Sequence, residues 1–195
     1  MVESISLECA HYRLRTMTAA DARPDWGSWL ANPTTARLLN AAPRAINEAE
    51  RAAYIARFDG RSCHLLGIWE KETGAFIGFW AIYVDEARRE FLLNVVVGDL
   101  GARAKGAQND TCDLIYEHFF NRLDMAAVRC TVSDRNDKMI DHLIRRRWTH
   151  VGTTVKPGTP PATIHAFRLS REDWRARFEP GWQEAPGRPL DKKAG

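Results

Sequence analysis

Three β-rich runs in close succession, Cys63 to Trp69, Phe76 to Val84 and Arg89 to Val97, constrain this chain most. Only Lys71-Glu72-Thr73-Gly74 and Asp85-Glu86-Ala87-Arg88 separate them, a spacing that suits an antiparallel meander. After Val97 the pattern changes. A loop of small and basic residues, Gly98 to Gly106, opens a helix expected to reach about Leu123, because Leu114, Ile115, Phe119 and Leu123 share one face at helical spacing. Val128 to Val132 reads as a strand, and Asn136 to Arg147 as a helix with Met139, Ile140 and Leu143 inward. Val151 to Val155 and Ile164 to Leu169 read as a last strand pair joined by Lys156 to Pro161. Ser170-Arg171-Glu172-Asp173 caps a short final helix.

Upstream, a strand at Tyr12 to Met17 leads to Thr18, the expected N-cap of a helical stretch ending near Leu30, where Asn32-Pro33 breaks it. Asn47-Glu48-Ala49-Glu50 pairs an Asx cap with a Glu three residues on, so a helix should run from there to about Phe58. This order predicts an α+β (mixed α/β) domain around one central sheet. At roughly 150 residues per domain, 195 residues make one domain with trimmings. Residues 1–179 are expected to form it, and the Pro-, Gly- and charge-rich 180–195 a mobile tail.

Composition removes several classes of function. The 28 Lys and Arg exceed the 25 Asp and Glu by only three, too little to argue for a nucleic-acid partner. The longest uncharged apolar-rich stretch, Thr73 to Val84, is too short to span a bilayer, and no basic-then-apolar leader is visible, so a cytoplasmic protein without a membrane partner is expected. Cys9, Cys63, Cys112 and Cys130 are scattered without zinc-ligand spacing, so no metal is expected. No G-x-S-x-G is present for a serine hydrolase.

The loop after Val97 carries the chemistry. Small side chains let backbone N–H groups approach an anion, the helix start adds its positive dipole end, and Arg103 and Lys105 add charge. That is the physics of a phosphate cradle, although an ordinary basic strand-to-helix turn would look the same. Neither Gly-Lys-Ser/Thr nor G-x-G-x-x-G is present, which excludes a P-loop and a dinucleotide fingerprint.

Arg103-Ala104-Lys105-Gly106-Ala107-Gln108 is followed at unbroken spacing, as far as Trp148, by Phe120, Leu123, the Val128 strand and Asn136-Asp137-Lys138-Met139. Leu14-Arg15 precedes Asp21, and then comes Trp29-Leu30-Ala31-Asn32-Pro33. From about residue 12 to 170 the chain resembles the GNAT superfamily of acyl-CoA-dependent N-acetyltransferases, within it the branch of ribosomal-protein and amino-sugar acetyltransferases. That resemblance implies a GNAT-like fold: a mostly antiparallel twisted sheet with two splayed parallel strands and flanking helices.

It also implies an acetyl-CoA site and transfer to an amine acceptor without metal, and it allows a homodimer. The pyrophosphate would lie on the amides of Arg103, Ala104, Lys105, Gly106 and Ala107, with Gln108 beside them. The pantetheine arm would add like a strand beside Val95, Val96 and Val97. Asn136 would face the cofactor near its sulfur and pantetheine end, and Met139 would be a further cofactor-binding residue. Glu90 stands near the general base of several relatives, with pairing to Arg88 or Arg89 as the alternative. The N–H of Val96 or a neighbour would polarise the thioester oxygen.

Tyr116 and His142 are fallback proton donors or structural groups. Trp26, Trp29 and Trp80 wall an acceptor pocket or fill the core, and Arg145-Arg146-Arg147 meets cofactor phosphate or ends a solvated helix. The chain departs from the branch pattern at Ala104, Gln108, Met139, Arg147 and, where many relatives carry a Tyr acid, Leu143. These departures keep a non-catalytic acyl-CoA-binding module as the alternative.

Overall fold

The computed structural model describes residues 4–22, 26–39, 41–157 and 161–187. Eight strands form one sheet in the order β1-β2-β3-β4-β5-β6-β8-β7. They are β1 (Ser6–Glu8), β2 (Tyr12–Thr16), β3 (Cys63–Glu70), β4 (Phe76–Asp85), β5 (Glu90–Val97), β6 (Ala127–Ser133), β7 (Thr149–Lys156) and β8 (Ala162–Ser170). Every pairing is antiparallel except β5 with β6. The helices are α1 (Pro33–Leu38), α2 (Glu48–Ile55), α3 (Leu100–Ala104), α4 (Ala107–Tyr116), α5 (Asp137–Arg145) and α6 (Arg171–Ala176). An i→i+5 segment, Glu117–Arg122, continues α4. The mixed α/β fold with its meander and one parallel pair is the fold the sequence implies. Among the described residues no helix is long and apolar enough to cross a membrane.

Strand alternation sorts the core onto the two sheet faces. Phe91, Leu93 and Val97 of β5 join Trp80 and Ile82 of β4 on one face, under Ile115, Phe119 and Phe120 and the α5 residues Ile140 and Leu143. Phe79, Ala81 and Val96 belong to the other face, under Trp26, Ile46 and Ile55. Asn47 caps α2 as expected: its side chain accepts from the Glu50 amide and the Glu50 carboxylate accepts from the Asn47 amide, each at 2.9 Å.

Three local readings change. The stretch after Thr18 forms short 3₁₀ turns, Ala19–Ala22 and Trp26–Leu30, instead of one helix. The reason is Asp21, whose carboxylate accepts from the Thr18 amide at 2.7 Å and from both arms of Arg15, closing a tight turn. Asn32-Pro33 starts a helix rather than breaking one: Asn32 accepts from the amides of Thr34 and Thr35, and Pro33 occupies the first turn, where its missing N–H costs nothing. Inside the expected loop, Asp99 accepts from the Ala102 amide at 2.7 Å and nucleates α3.

Residues 180–187 run along the end of α5, where the Ala185 amide donates to Arg145 O and Arg147 Nε to Gln183 O. Residues 188–195 of the expected tail lie outside the described residues.

Burial alone would raise the Asp21 carboxyl, but the bonds from Arg15 and Thr18 outweigh it and hold the pKa below the ordinary value. Its contribution to stability is therefore present above the usual carboxylate range and is lost as pH falls through the depressed pKa. Asp21→Asn should lower the melting temperature at pH 7 and flatten its decline below about pH 4. A melting series from pH 2 to 7 reads both; an unchanged acid limb would remove Asp21 from the acid-labile set.

Candidate functional site

The parallel pairing of β5 with β6 covers only Glu90↔Ala127, Phe91↔Val128 and Leu92↔Arg129. Beyond Leu92 the strands splay, and a cleft of about 150 Å³ opens between Leu93–Val95 on one side and Cys130–Val132 on the other. Helices α4 and α5 carry its walls, through Gln108, Cys112 and Tyr116 and through Met139 and Leu143. A mouth continues along Val95–Val97 to Thr35, Leu38, Leu39 and Arg103.

The backbone direction of β5 decides what this cleft can bind. Gly98 N–H donates to Ile77 O on the β4 side, whereas Arg89 O accepts from the Ala127 amide on the β6 side. In a strand these directions alternate residue by residue. Even-numbered β5 residues therefore spend their amides on β4, Val96 among them, opposite Phe79. Leu93, Val95 and Val97 present N–H and C=O to the open side. Of the expected donor positions, the Val96 amide faces β4, and its neighbours Val95 and Val97 direct theirs to the open side.

The loop residues divide. Arg103 reaches back, with Nε donating to Val97 O and Nη2 to Thr35 Oγ1 at 3.0 Å, so it ties the end of β5 to α1. Lys105 turns away and pairs with Glu70 at 3.2 Å. Ala104 ends α3, and its side chain lies outside the described residues. Gly106 caps α4 in the left-handed region (φ 81°), a conformation that favours glycine, and offers no side chain to the first amides of the helix. Ala107 is fully buried behind it. Gln108 lies across the mouth, its Nε2 donating to Met139 Sδ at 3.6 Å.

Asn136 caps α5: its Oδ1 accepts from the Met139 amide at 3.3 Å, which leaves the Nδ2 hydrogens to donate. It lines both parts of the cleft. Glu90 does not reach either part. It sits at the closed end of the parallel pair, accepting from Arg168 Nε at 2.9 Å and lying 3.8 Å from Arg129, not beside Arg88 or Arg89. The tryptophans do not form one wall. Trp26 and Trp29 pack on the α2 face, while Trp80 faces α4, its Nε1 donating to Thr111 Oγ1 at 3.0 Å.

Two thiols line the cleft, and burial pushes both upward, Cys112 to about 12. They stay protonated at neutral pH and are poor nucleophiles. Burial also raises Tyr116 well above its ordinary value, so its hydroxyl remains a donor. His142 is held below its ordinary value by burial and by Arg146 and Arg177. Among the described residues, no group of three or more His, Cys, Asp or Glu could hold a metal ion. Thr35, Leu38, Leu39, Cys112, Cys130 and Arg177 had no local signal in the sequence that marked them as lining residues.

Solved structures share this architecture. A spermidine N-acetyltransferase from Vibrio cholerae, in complex with CoA and spermine, superposes with a TM-score of 0.70 at 13% identity, covering 84% of this chain and 98% of that one. FdhC, a nucleotide-linked sugar GNAT in its apo form, gives 0.70 at 15% identity, covering 90% and 95%. A GCN5-related N-acetyltransferase from Brucella melitensis gives 0.68 at 17%, covering 89% and 82%. At these identities the likeness concerns the fold. No curated protein sequence matches. The family model described as the acetyltransferase (GNAT) domain matches residues 11–145, well over half of the chain. This chain therefore belongs to the GNAT acetyltransferase domain family.

Proposed function

We propose that the protein transfers the acetyl group of acetyl-CoA to a primary amine by direct attack, with no acyl-enzyme intermediate. The observation that carries this is the open side of β5. Backbone groups of Leu93, Val95 and Val97 face a cleft that starts at the glycine-capped end of α4. A pantetheine arm carries amides suited to adding along such an edge. A pyrophosphate suits a helix start whose cap has no side chain to interfere. When bound, acetyl-CoA supplies the activated thioester carbonyl. The chain supplies the rest: Val95 N–H for the developing oxyanion, Asn136 Nδ2 as a polar contact in the cleft, and Tyr116 as a proton donor. The protonated thiols of Cys112 and Cys130 leave direct attack as the simpler route. The ribosomal-protein and amino-sugar branch stays a proposal on its motif spacing, with the acceptor open among an amino sugar, a protein N-terminus and a small amine.

Glu90 holds a different role in this proposal. Five residues at about 3.3 Å each place it roughly 16 Å along β5 from Val95, tied to Arg168 and Arg129. It braces β6 and β8 against β5. Glu90→Gln should lower the melting temperature while keeping kcat within about threefold; a fall of 10²-fold or more would make it the general base.

Acetyl-CoA at about 100 times its Kd stabilises by roughly 2.7 kcal/mol, a melting shift of about 5 to 10 °C for a chain of this size. A saturable shift with acetyl-CoA, absent with ATP, is the expected result, and no shift at millimolar ligand would overturn the proposal. A non-catalytic acyl-CoA-binding module is the second reading, favoured by Leu143 and by the distance of Glu90 from the cleft. Release of free CoA thiol with any amine of a broad panel eliminates it.

A further inference from the structure

The cleft continues past the open edge of β5. Between α4 and α5 it is walled by Leu93, Cys112, Tyr116, Cys130, Leu143 and Trp148, and Arg146, just past the end of α5, and Arg177 belong to the same lining. Arg177 follows α6 and is half-buried. Nη2 donates to Arg146 O at 2.8 Å, while Nε is buried with no hydrogen-bond acceptor among the described residues.

No ion pair of Arg177 is found among the described residues. Arg146 stands 3.9 Å from Glu184, at the outer limit of an ion pair. Among the described residues Asp113 is the one acidic residue on the cleft lining; it forms no ion pair with either arginine, although burial lowers the Arg177 pKa and the charge of Asp113 acts to raise it. Charges withdrawn from water are ordinarily paired, and of the five donors that a guanidinium carries one meets a carbonyl among the described residues. An unsatisfied buried donor on a cleft wall points to a missing partner. Apart from Asp113 the other walls are apolar or neutral, so that partner has an apolar stem, and two arginines against one carboxylate favour an anionic end.

On the reading above, the thioester lies beside Val95 and the compartment beyond it is free for the acyl group. We infer that the inner compartment accepts an acyl chain ending in a carboxylate, making the preferred donor the CoA thioester of a short dicarboxylic acid. In the transfer, the amine nitrogen bonds to the thioester carbon and the carbon–sulfur bond breaks. The amine proton goes to the thiolate, and free CoA leaves as the thiol. The distal carboxylate takes no part in bond making; it sits against Arg177 and Arg146. A phosphate of CoA would offer the same charge, but one held at the start of α4 does not reach this end, since Tyr116 lies about 15 Å along the helix from Gly106.

Calorimetric titration with succinyl-CoA and butyryl-CoA tests this, because the two share a chain length and differ in the carboxylate. Succinyl-CoA should bind wild-type protein at least about tenfold more tightly, and Arg177→Met should bring the two affinities close to equal. The ratio is read within each variant, so a general loss of folding or of CoA affinity cancels. Equal affinities in the wild type, or a preference that survives Arg177→Met, would overturn the inference while leaving CoA binding intact. If Arg177→Met weakens both CoA esters equally and leaves their dephospho-CoA counterparts unaffected, Arg177 serves the 3′-phosphate and the inference fails. Binding of no CoA ester at all overturns the proposed function itself.

Discussion

Val95→Pro should lower acetyl transfer by about 10²- to 10³-fold while the sheet remains folded, the loss expected when one oxyanion donor is removed. The same substitution one residue along, Val96→Pro, should unfold the domain. The contrast comes from the alternation of backbone direction in β5. Val96 faces β4 opposite Phe79, so a proline there deletes a ladder hydrogen bond inside the sheet. Val95 directs its N–H into the splay, where β6 no longer pairs with it, and proline is tolerated where the lost donor faces no strand. Asn94, the residue before it, is already extended, as a pre-proline residue must be. Circular dichroism separates the folded variant from the unfolded one, and free-thiol release with a competent amine reads the rate. Full activity in a folded Val95→Pro protein would move the oxyanion donor away from β5.

Local signals read well from this sequence. The Asn47 cap, the meander of β3, β4 and β5, and the glycine opening α4 each depend on residues within a few positions of one another. Long-range pairing did not read. The strand position of Glu90 is legible, but its partners Arg129 and Arg168 lie 39 and 78 residues away and can be found only in the folded sheet. The charge of Arg103 in the loop is legible too, whereas its bonds to Val97 O and to Thr35, 68 residues upstream, are not. At Asn32-Pro33 the same two residues serve as a helix stop or as an Asx cap with proline in the first turn, and only the amides that follow decide between them. The lining of the cleft is assembled from β5, β6, α1, α4 and α5 together, so no single window of the sequence contains it.

Phe119→Ala is expected to be the costliest single truncation in the core. Phe119 is completely buried in the i→i+5 segment after α4, stacked on Phe91 at 4.8 Å with the edge of His64 at 5.6 Å. Removing a buried ring of this kind costs about 3 to 5 kcal/mol, against a total of roughly 5 to 15 kcal/mol for a domain. At about 2 to 4 °C per kcal/mol the melting temperature should fall by roughly 6 to 20 °C. The site of the damage bears on function. Phe91 lies in the short stretch where β5 still pairs with β6, opposite Val128, so Phe119 presses on the hinge of the splay. Loss of that pressure should weaken acetyl-CoA binding in the fraction that stays folded, in addition to reducing that fraction. Phe119→Leu keeps most of the volume and should recover more than half of both losses. Chemical denaturation gives the stability, and titration below the melting range gives the affinity. A large stability loss with unchanged affinity would show that the splay is held by β5 and β6 alone.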